Sequence, residues 1–375
     1  MLRPDPYKEK WMRLALSLAK RGEGKASPNP MVGAVLVKDG KLIAKGYHRY
    51  FGGPHAEIEA LKRAKDKAKG ATLYVTLEPC SHYGKTPPCT LAIIKAGVSK
   101  VIAATIDPNP LNSGRGIKIL REKGIETEVG ICEEKAKKLN ESFFKFIREK
   151  IPFVTVKVGA SLDGKIATFT GESKWITTEK SREVAHNLRN KFDAILVGIN
   201  TVIKDDPKLL PPSQRKFLRV ILDSRLRVPL SSKVLKDQKK APTLIFTTPK
   251  ANLKKMRILK NEGIKINVVE RGGKVPLKKV LSYLGEFGIM SLLVEGGGEV
   301  IGSFFEENLV DKIYLFISPR IIGGKNSLSW VGGKGIDSLD KSPKLKISSL
   351  KRIDEDIFVE GYILKNVKLL PNTDL

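Results

Sequence analysis

One histidine and two cysteines constrain the fold of this chain most strongly. His55 is predicted to open a helix, Cys80 to follow a buried strand, and Cys89 to open another helix. Imidazole and thiolate groups are typical zinc ligands, and zinc held by three protein ligands keeps its fourth position for water, as catalytic sites do. Any fold of this chain must therefore bring these three side chains together if they bind one ion.

A glutamate two residues after the histidine completes the candidate catalytic set. Glu57 ends a His-Ala-Glu triplet, and Pro79-Cys80 lies further along the chain. The same elements occur in the signature of zinc deaminases, which reads His-x-Glu and then Pro-Cys-x-x-Cys. The second cysteine is displaced, because Ser81 to Pro88 separate it from Cys80. Zinc lowers the pKa of a bound water towards about 7, and a nearby carboxylate can relay the proton to a leaving amine. We therefore predict hydrolytic deamination with Glu57 as the general acid and base.

The residue types alone leave other roles open for this histidine and these cysteines. The two cysteines could be buried apolar side chains or a redox pair. Zinc could also be a structural staple with His82 as a fourth ligand, since structural sites usually have four protein ligands. Cys132 stands apart, and three cysteines do not suggest a disulfide framework.

The first half of the chain is predicted to alternate helices and strands in the order α-β-β-α-β-α-β-α-β. Strands connected through helices indicate a partly parallel sheet covered on both faces. One basic amphipathic helix is predicted over 133–150. We place the domain boundary in this segment, so that the first domain spans 1–148 and the second spans 149–375.

The second half is predicted to be an α/β domain with its own core. Its clearest chemical feature is 293–302, LVEGGGEVIG, in which a strand ends in glycines and a helix begins. Backbone N–H groups at such a helix start can bind phosphate oxygens, although a tight turn is the alternative. Polar loops also follow strands near 157–176 and 198–207, and open α/β sheets bind ligands at the carboxyl ends of their strands.

Together these motifs resemble those of a known family, the bifunctional riboflavin-biosynthesis deaminase/reductases, over nearly the whole chain. The matching stretches are SPNPMVG (27–33), GYH (46–48), HAE (55–57), TLEPCSHYGKTPPC (76–89), DPNP (107–110), KVGASLDGKIA (157–167), GESKWI (171–176), GINTV (198–202) and LVEGGGEVIG (293–302). The long segment between the cysteines is usual in that family. The resemblance implies an α/β protein with an N-terminal cytidine-deaminase-like three-layer domain and a C-terminal dihydrofolate-reductase-like domain.

For the first domain, the resemblance implies zinc on His55, Cys80 and Cys89, with Glu57 as acid and base. It also implies that Asn29 and His48 contact the substrate, a small phosphorylated pyrimidine. The expected reaction is hydrolytic deamination of 2,5-diamino-6-(5-phosphoribosylamino)pyrimidin-4(3H)-one.

For the second domain, the resemblance implies NADPH-dependent reduction of the ribosyl side chain to ribityl. The residues expected to contact NADPH are Ala160, Trp175, Thr201, Asp205, Gly297, Gly298, Glu299, Val300, Ile301, Gly302 and Ser303. Those expected to contact the substrate are Lys157, Ser173, Arg189, Leu209 and Glu295. Among them, Lys157 and Glu295 are the candidates for polarising the substrate and transferring a proton.

One loop departs from the family pattern. The family commonly continues Asp-Asp-Pro-x-Leu-Thr-x-Arg, with the arginine near the substrate phosphate. Here 205–215 reads DDPKLLPPSQR, so Leu210 stands at the threonine position and Pro212 at the arginine position. Arg215 is a candidate replacement from a shifted loop.

The formal net charge of +28 could indicate that the protein binds nucleic acid. The excess is spread over both halves without a basic tail, and a phosphate-bearing substrate accounts for it equally well. We expect no nucleic-acid partner. The alternative function is a zinc-dependent nucleic-acid base deaminase with a C-terminal basic binding domain.

No apolar run reaches the length of a membrane span, and the first residues show no apolar signal-peptide core. We therefore expect no membrane partner and a cytoplasmic location. A homo-oligomer is also expected.

Overall fold

The computed structural model describes residues 5–84, 86–213, 215–269 and 273–364. The chain divides into two compact units, Met1–Ile151 (unit 1) and Pro152–Leu375 (unit 2). Within the described residues, no helix has the length and apolar character needed to cross a membrane.

Unit 1 is a five-stranded sheet with helices on both faces. Its helices are α1 (Pro6–Ala19), α2 (Ala56–Ala64), α3 (Cys89–Lys95), α4 (Arg115–Glu122), α5 (Glu133–Leu139) and α6 (Glu141–Glu149). Its strands are β1 (Gly33–Lys38), β2 (Lys41–Tyr47), β3 (Thr72–Val75), β4 (Lys100–Ala103) and β5 (Glu126–Val129), in the sheet order β2-β1-β3-β4-β5. β1 pairs antiparallel with β2 and β3, whereas β3, β4 and β5 are parallel. The predicted partly parallel sheet is confirmed.

Alternate residues of the strands build the two cores of unit 1, because successive side chains of a strand point to opposite faces. Leu36 of β1 packs in a cluster with Ala60 of α2 and Ile93 of α3. Its neighbour Val35 packs on the other face with Met12 of α1. Both faces of the sheet are therefore covered, and α2, which carries Glu57, packs against β1, β2 and α3.

The single helix predicted over 133–150 is wrong, because two helices, α5 and α6, meet at Asn140. Asn140 is only 4% exposed, and its side chain accepts from the Met31 N–H at 2.8 Å and donates to the Met31 carbonyl at 2.9 Å. An asparagine side chain that competes with the backbone for hydrogen bonds favours a helix boundary over a helix interior. This contact was invisible in the helical periodicity.

Unit 2 contains a nine-stranded sheet and a small two-stranded sheet. Its strands are β6 (Phe153–Ser161), β7 (Lys165–Ala167), β8 (Ala194–Gly198), β9 (Leu218–Leu222), β10 (Thr243–Thr247), β11 (Lys265–Val268), β12 (Ser291–Val294), β13 (Lys312–Ser318), β14 (Leu328–Ser329), β15 (Lys344–Ile353) and β16 (Asp356–Leu364). The large sheet has the order β11-β10-β9-β8-β12-β6-β13-β16-β15, and β14 pairs with β7. The helices are α7 (Glu179–Leu188), α8 (Ile199–Asp205), α9 (Leu253–Asn261), α10 (Leu277–Glu286) and α11 (Gly298–Glu306).

The large sheet is parallel from β11 to β13 and antiparallel only at β16 and β15. In this order β9, β8 and β12 are neighbours, so the loops after their carboxyl ends lie side by side. Such an edge is where open α/β sheets bind ligands.

The sequence prediction missed α8, α9, β7, β14 and β15. The sequence predicts only a polar loop over the segment of α8, because its seven residues make no more than about two helical turns. β15 is mostly exposed and shows no clear alternation of apolar residues, so it carries little of the period-two signal.

Candidate functional sites in the two units

Three possible metal ligands converge in unit 1. Cys80 follows β3, Cys89 is the first residue of α3, and His55 is the N-cap residue of α2. The Nδ1 atom of His55 lies 3.2 Å from the Cys89 sulfur and 3.5 Å from the Cys80 sulfur. The three ligand atoms all lie within 4.8 Å of one another, and among the described residues no other histidine, cysteine or carboxylate joins this group.

The sulfur of Cys80 is stabilised as a thiolate. The pKa of Cys80 is lowered to about 4, chiefly because Cys89 donates a hydrogen bond to its sulfur. Burial opposes this shift, and hydrogen bonds from His55 and from the Cys89 backbone N–H, at 3.2 Å, support it. An imidazole and two cysteines, one of them favoured as thiolate, form a donor set that suits zinc. A structural staple would need His82 as its fourth ligand, but among the described residues His82 does not belong to the group.

Glu57 lies in the first turn of α2, next to the three ligands and outside the group. It is only 4% exposed, and its Oε2 atom is buried with no hydrogen-bond partner among the described residues. Burial is the main cause that raises the pKa of Glu57 to about 6. A carboxylate with such a pKa can both accept and release a proton near neutral pH.

A cavity of about 320 Å³ opens onto these residues. Asn29 and His48, both predicted to contact the substrate, line it together with His55, Glu57 and Cys80. His48 is 2% exposed, and burial lowers its pKa. Its Nδ1 lies 3.0 Å from the Pro54 carbonyl and its Nε2 lies 3.0 Å from Nδ2 of Asn29. The neutral imidazole therefore donates to the carbonyl and accepts from the amide, which fixes how Asn29 faces the cavity.

Asp107 and Asn109 also line this cavity, although the sequence reasoning gave them no role. Asp107 is 8% exposed, and burial raises its pKa. Its loop is anchored by buried Glu78, which accepts from the backbone N–H groups of Asp107 at 3.1 Å and Gly114 at 2.9 Å. In the sequence, the only indication that these two residues belong to the site is that they follow a predicted strand, in the DPNP motif.

A second cavity, of about 1160 Å³, lies in unit 2 at the carboxyl ends of β8, β9 and β12. The predicted cofactor contacts that line it are Thr201, Gly297, Gly298, Glu299, Val300 and Ser303. Ile301 and Gly302 are buried inside α11 and do not line it, and neither does Ala160. The same cavity is also lined by Ser224, Arg227 and Lys274, none of which was predicted as a contact. Ser224 and Arg227 follow β9, so their place after a strand end was a usable signal.

Glycines let α11 pack closely against residues 329–332 beside this cavity. A Cβ on Gly298 would lie 2.3 Å from the Ser329 carbonyl, and a Cβ on Gly302 would lie 2.2 Å from the Gly332 carbonyl. These are backbone atoms, which cannot move aside as a flexible side chain can. Gly297, in contrast, meets only the Thr201 hydroxyl at 3.8 Å. The start of α11 is thus an open helix N-terminus of the kind that binds phosphate groups.

A third cavity, of about 270 Å³, is lined by Lys157, Ser173, Trp175 and Asp205, all of which the sequence predicted as contacts. Ile166 lines both this cavity and the larger one, so the two adjoin. Leu209 is buried and does not line it.

Glu295 connects two of the predicted substrate contacts. Its carboxylate accepts two hydrogen bonds of 2.9 Å from Nε and Nη2 of Arg189, and its Oε2 lies 3.0 Å from Nζ of Lys157. Burial by itself would raise the pKa of Glu295, but Lys157 and Arg189 outweigh it and lower the pKa to about 2. Glu295 is therefore an ionised, buried counter-ion that orients the Lys157 ammonium at the cavity.

Arg215 does not reach these cavities. Its Nη2 donates to the Phe192 carbonyl and lies 3.4 Å from Oδ1 of Asp193. The structure thus ties Arg215 to the turn before β8.

Comparison with known proteins covers both units. Residues 6–105 match the family model of the cytidine and deoxycytidylate deaminase zinc-binding region, and residues 152–359 match that of the RibD C-terminal domain. The riboflavin biosynthesis protein RibD of Aquifex aeolicus is 49% identical over 352 residues, covering 93% of this chain and 96% of that protein.

Solved structures agree with this result. The chain is similar to RibD of Acinetobacter baumannii, with a TM-score of 0.85 and 36% identity over 96% of this chain and 99% of the other. A Thermotoga maritima protein, described as a diaminohydroxyphosphoribosylaminopyrimidine deaminase/5-amino-6-(5-phosphoribosylamino)uracil reductase, has a TM-score of 0.84 and 39% identity with the same coverage.

Proposed function

Because the chain belongs to the RibD family of bifunctional riboflavin biosynthesis enzymes, we propose that it catalyses two successive reactions on one phosphorylated pyrimidine. Unit 1 hydrolytically deaminates 2,5-diamino-6-(5-phosphoribosylamino)pyrimidin-4(3H)-one. Unit 2 then reduces the ribosyl side chain of the product to ribityl. The observation that carries the first reaction is the convergence of His55, Cys80 and Cys89 beside Glu57.

His55, Cys80 and Cys89 are the residues that would hold zinc, whose chemistry is the activation of the attacking water. Glu57 would take a proton on Oε2, which has no hydrogen-bond partner in the described part of the chain, and return it to the leaving amine. Asn29 and His48 would orient the pyrimidine ring through their fixed polar edges. Burial of His48 keeps competing water away from its hydrogen bonds.

In unit 2, the large cavity and the open start of α11 would hold NADPH, which supplies the hydride. The Lys157 ammonium, held by Glu295 at the adjoining cavity, would polarise the sugar group that is reduced. Ser173 lines the same cavity and is proposed to contact the substrate.

The nucleic-acid alternative loses its main support. It required the second half of the chain to be a basic binding module, but residues 152–359 match the RibD C-terminal domain. The positive charge is better explained by a phosphorylated substrate and a phosphorylated cofactor.

Removal of the metal should abolish deamination and leave the reduction intact. We expect the purified, zinc-loaded protein to release ammonia from the diaminopyrimidine and to oxidise NADPH only after deamination. A chelator should abolish ammonia release, because the ligand set is confined to unit 1. The same chelated protein should still oxidise NADPH with 5-amino-6-(5-phosphoribosylamino)uracil, and zinc should restore deamination. Ammonia release from metal-stripped protein would contradict the proposed deaminase.

We also propose that the chain forms a homo-oligomer. β15 is the last strand of the large sheet, and Ile347 and Leu350 on it are 56% and 65% exposed. Exposed apolar side chains on an edge strand can form part of an interface with another chain. Light scattering should give a mass of at least twice 41.5 kDa, and a monomeric mass at micromolar concentration would refute this.

We further propose a cytoplasmic location. The candidate metal site needs two cysteines as free thiolates, and a reducing compartment preserves them. Cell fractionation, with an antibody to detect the chain in each fraction, would test this location.

A further inference from the structure

We propose that Asn112 is a positioning residue of the deaminase site in unit 1, where its carboxamide fixes Cys80 and Asp107 relative to each other. This inference rests on the proposed deaminase function, and Asn112 was not among the predicted site residues. Asn112 lies in the loop between β4 and α4 and is 0% exposed. Cys80 and Asp107 line the cavity beside the candidate metal ligands, whereas Asn112 does not. Its effect on the site is therefore exerted through its neighbours.

Asn112 holds the main chain on both sides of Cys80. Its Oδ1 accepts hydrogen bonds from the Ser81 N–H at 2.9 Å and from the Ser81 hydroxyl at 2.7 Å. Its Nδ2 donates to the Pro79 carbonyl at 3.3 Å. The Cys80 carbonyl itself accepts from the N–H of Thr90, in the first turn of α3, at 3.2 Å. The main chain of this candidate ligand is thus fixed before, at and after the residue.

The same side chain fixes a carboxylate in the wall of the cavity. Nδ2 of Asn112 also donates to Oδ2 of Asp107 at 3.2 Å, and Oδ1 of Asp107 accepts from the Asn109 N–H at 2.9 Å. Both oxygens of Asp107 therefore have a donor, which determines how the carboxylate is oriented. Asn112 connects the loop of Cys80, after β3, with the loop of Asp107, after β4.

The hydrogen-bonding capacity of Asn112 is completely used. An asparagine side chain offers two N–H groups and one oxygen with two lone pairs. Asn112 uses them for Pro79, for Asp107 and, twice, for Ser81. A buried polar group whose hydrogen bonds are all made is rigid and favours a single arrangement of its partners. Neither an aliphatic side chain nor a carboxylate at this position could make all four bonds.

Glu78 separates this role from a general structural one. Its carboxylate accepts from the backbone N–H groups of Asp107, Gly114 and Ile117. The loop between β4 and α4 is therefore anchored without Asn112. Loss of the carboxamide should release the two site residues while the loop keeps its path.

Metal binding by the full-length protein tests the contact with Cys80 without turnover. Competition with a chelator would give the Kd for zinc, and the visible spectrum of the cobalt-substituted protein would report the geometry of the ligands. Asn112→Ala should raise the Kd for zinc about 10- to 100-fold, because groups that orient a metal ligand typically contribute that much. The cobalt spectrum should shift as well. An unchanged Kd or an unchanged spectrum would overturn the proposal.

Asn140→Ala is the matched control for a merely structural loss. Asn140 is also buried, at 4% exposed, and it binds the main chain of Met31 through both its amide oxygen and its amide nitrogen. This variant should lower the melting temperature as Asn112→Ala does, but it should leave the Kd for zinc and the cobalt spectrum unchanged. An equal rise of the Kd in Asn140→Ala would show a general effect of lost stability and overturn the proposal.

Asn112→Asp tests the contact with Asp107 and keeps the volume of the side chain. One oxygen can still accept from Ser81, but the other replaces Nδ2 and faces Oδ2 of Asp107, from which a like charge is repelled. At saturating zinc, KM for the diaminopyrimidine should therefore rise about 10-fold. NADPH oxidation with the deaminated substrate should stay normal. A wild-type KM in this variant would contradict a role through Asp107.

These measurements also separate the role of Asn112 from the proposed deaminase function. If wild type itself releases no ammonia, the deaminase function fails. The Kd for zinc and the cobalt spectrum still decide in that case whether Asn112 positions Cys80.

Discussion

Replacing Glu57 with glutamine is expected to lower kcat for deamination by about 10²- to 10⁴-fold, while the zinc content of the protein stays the same. Glutamine has nearly the same volume and cannot take up or return a proton. Glu57 is buried beside the candidate ligands, yet it is outside the group formed by His55, Cys80 and Cys89. Its loss should therefore remove proton transfer without removing a ligand.

The measurement is ammonia release together with metal analysis of the purified variant. Glu59→Gln is the matched control, because Glu59 lies on the same helix and pairs with Arg63 and Arg49 near the surface. Loss of such a pair costs little, so Glu59→Gln should release ammonia normally. NADPH oxidation with the deaminated substrate reports the folding of unit 2 in both variants. Normal ammonia release by Glu57→Gln would refute the acid and base role.

The second large effect is expected for Glu295→Gln, which should abolish NADPH oxidation and destabilise unit 2 by about 3–5 kcal/mol. Glu295 is the shared counter-ion of Lys157 and Arg189. Removing one charge from a buried ionic cluster leaves the others uncompensated, which costs more than the loss of a surface pair. The Lys157 ammonium would also lose the contact that orients it at the cavity.

Calorimetric unfolding and NADPH oxidation would measure the two consequences of Glu295→Gln. Glu286→Gln is a suitable control, since Glu286 is exposed at the end of α10. Ammonia release by unit 1 should persist in both variants. Undiminished NADPH oxidation by Glu295→Gln would contradict the role given to this carboxylate.

The pH dependence of stability gives a further check on the same variant. The pKa of Glu295 is lowered to about 2 in the folded protein because its two cationic neighbours outweigh burial, against about 4.3 for an unfolded chain. A lowered carboxyl pKa contributes stability above the unfolded value and loses it as the pH falls through the folded value. The difference in stability between wild type and Glu295→Gln should therefore shrink between about pH 4.3 and pH 2.

The sequence alone determined the chemistry of the first site, because few residue types can bind zinc. A histidine and two cysteines, each next to a predicted strand or helix end, indicated that the three side chains share one metal site. The family resemblance extended this to both activities and both cofactors. The assignments of individual contacts, such as Ser173 for substrate and Thr201 for NADPH, stay predictions.

Local patterns failed where long-range contacts decided the outcome. The helical periodicity of 133–150 continues through Asn140, but the hydrogen bonds of Asn140 to Met31 divide the segment into two helices. β15 is the edge strand of the large sheet and pairs antiparallel with β16. This pairing, rather than the apolar pattern of β15 itself, stabilises the strand.

Only the tertiary structure showed which charges remain available for ligands. Arg215 carries the right charge for a phosphate, but its contacts with Phe192 and Asp193 hold it elsewhere. Arg189 also carries that charge, but the buried Glu295 carboxylate accepts from its Nε and Nη2 atoms. Residue types limit which chemistry a chain can perform, whereas the neighbours that neutralise, bury or expose each group are distant in sequence and are decided by the fold.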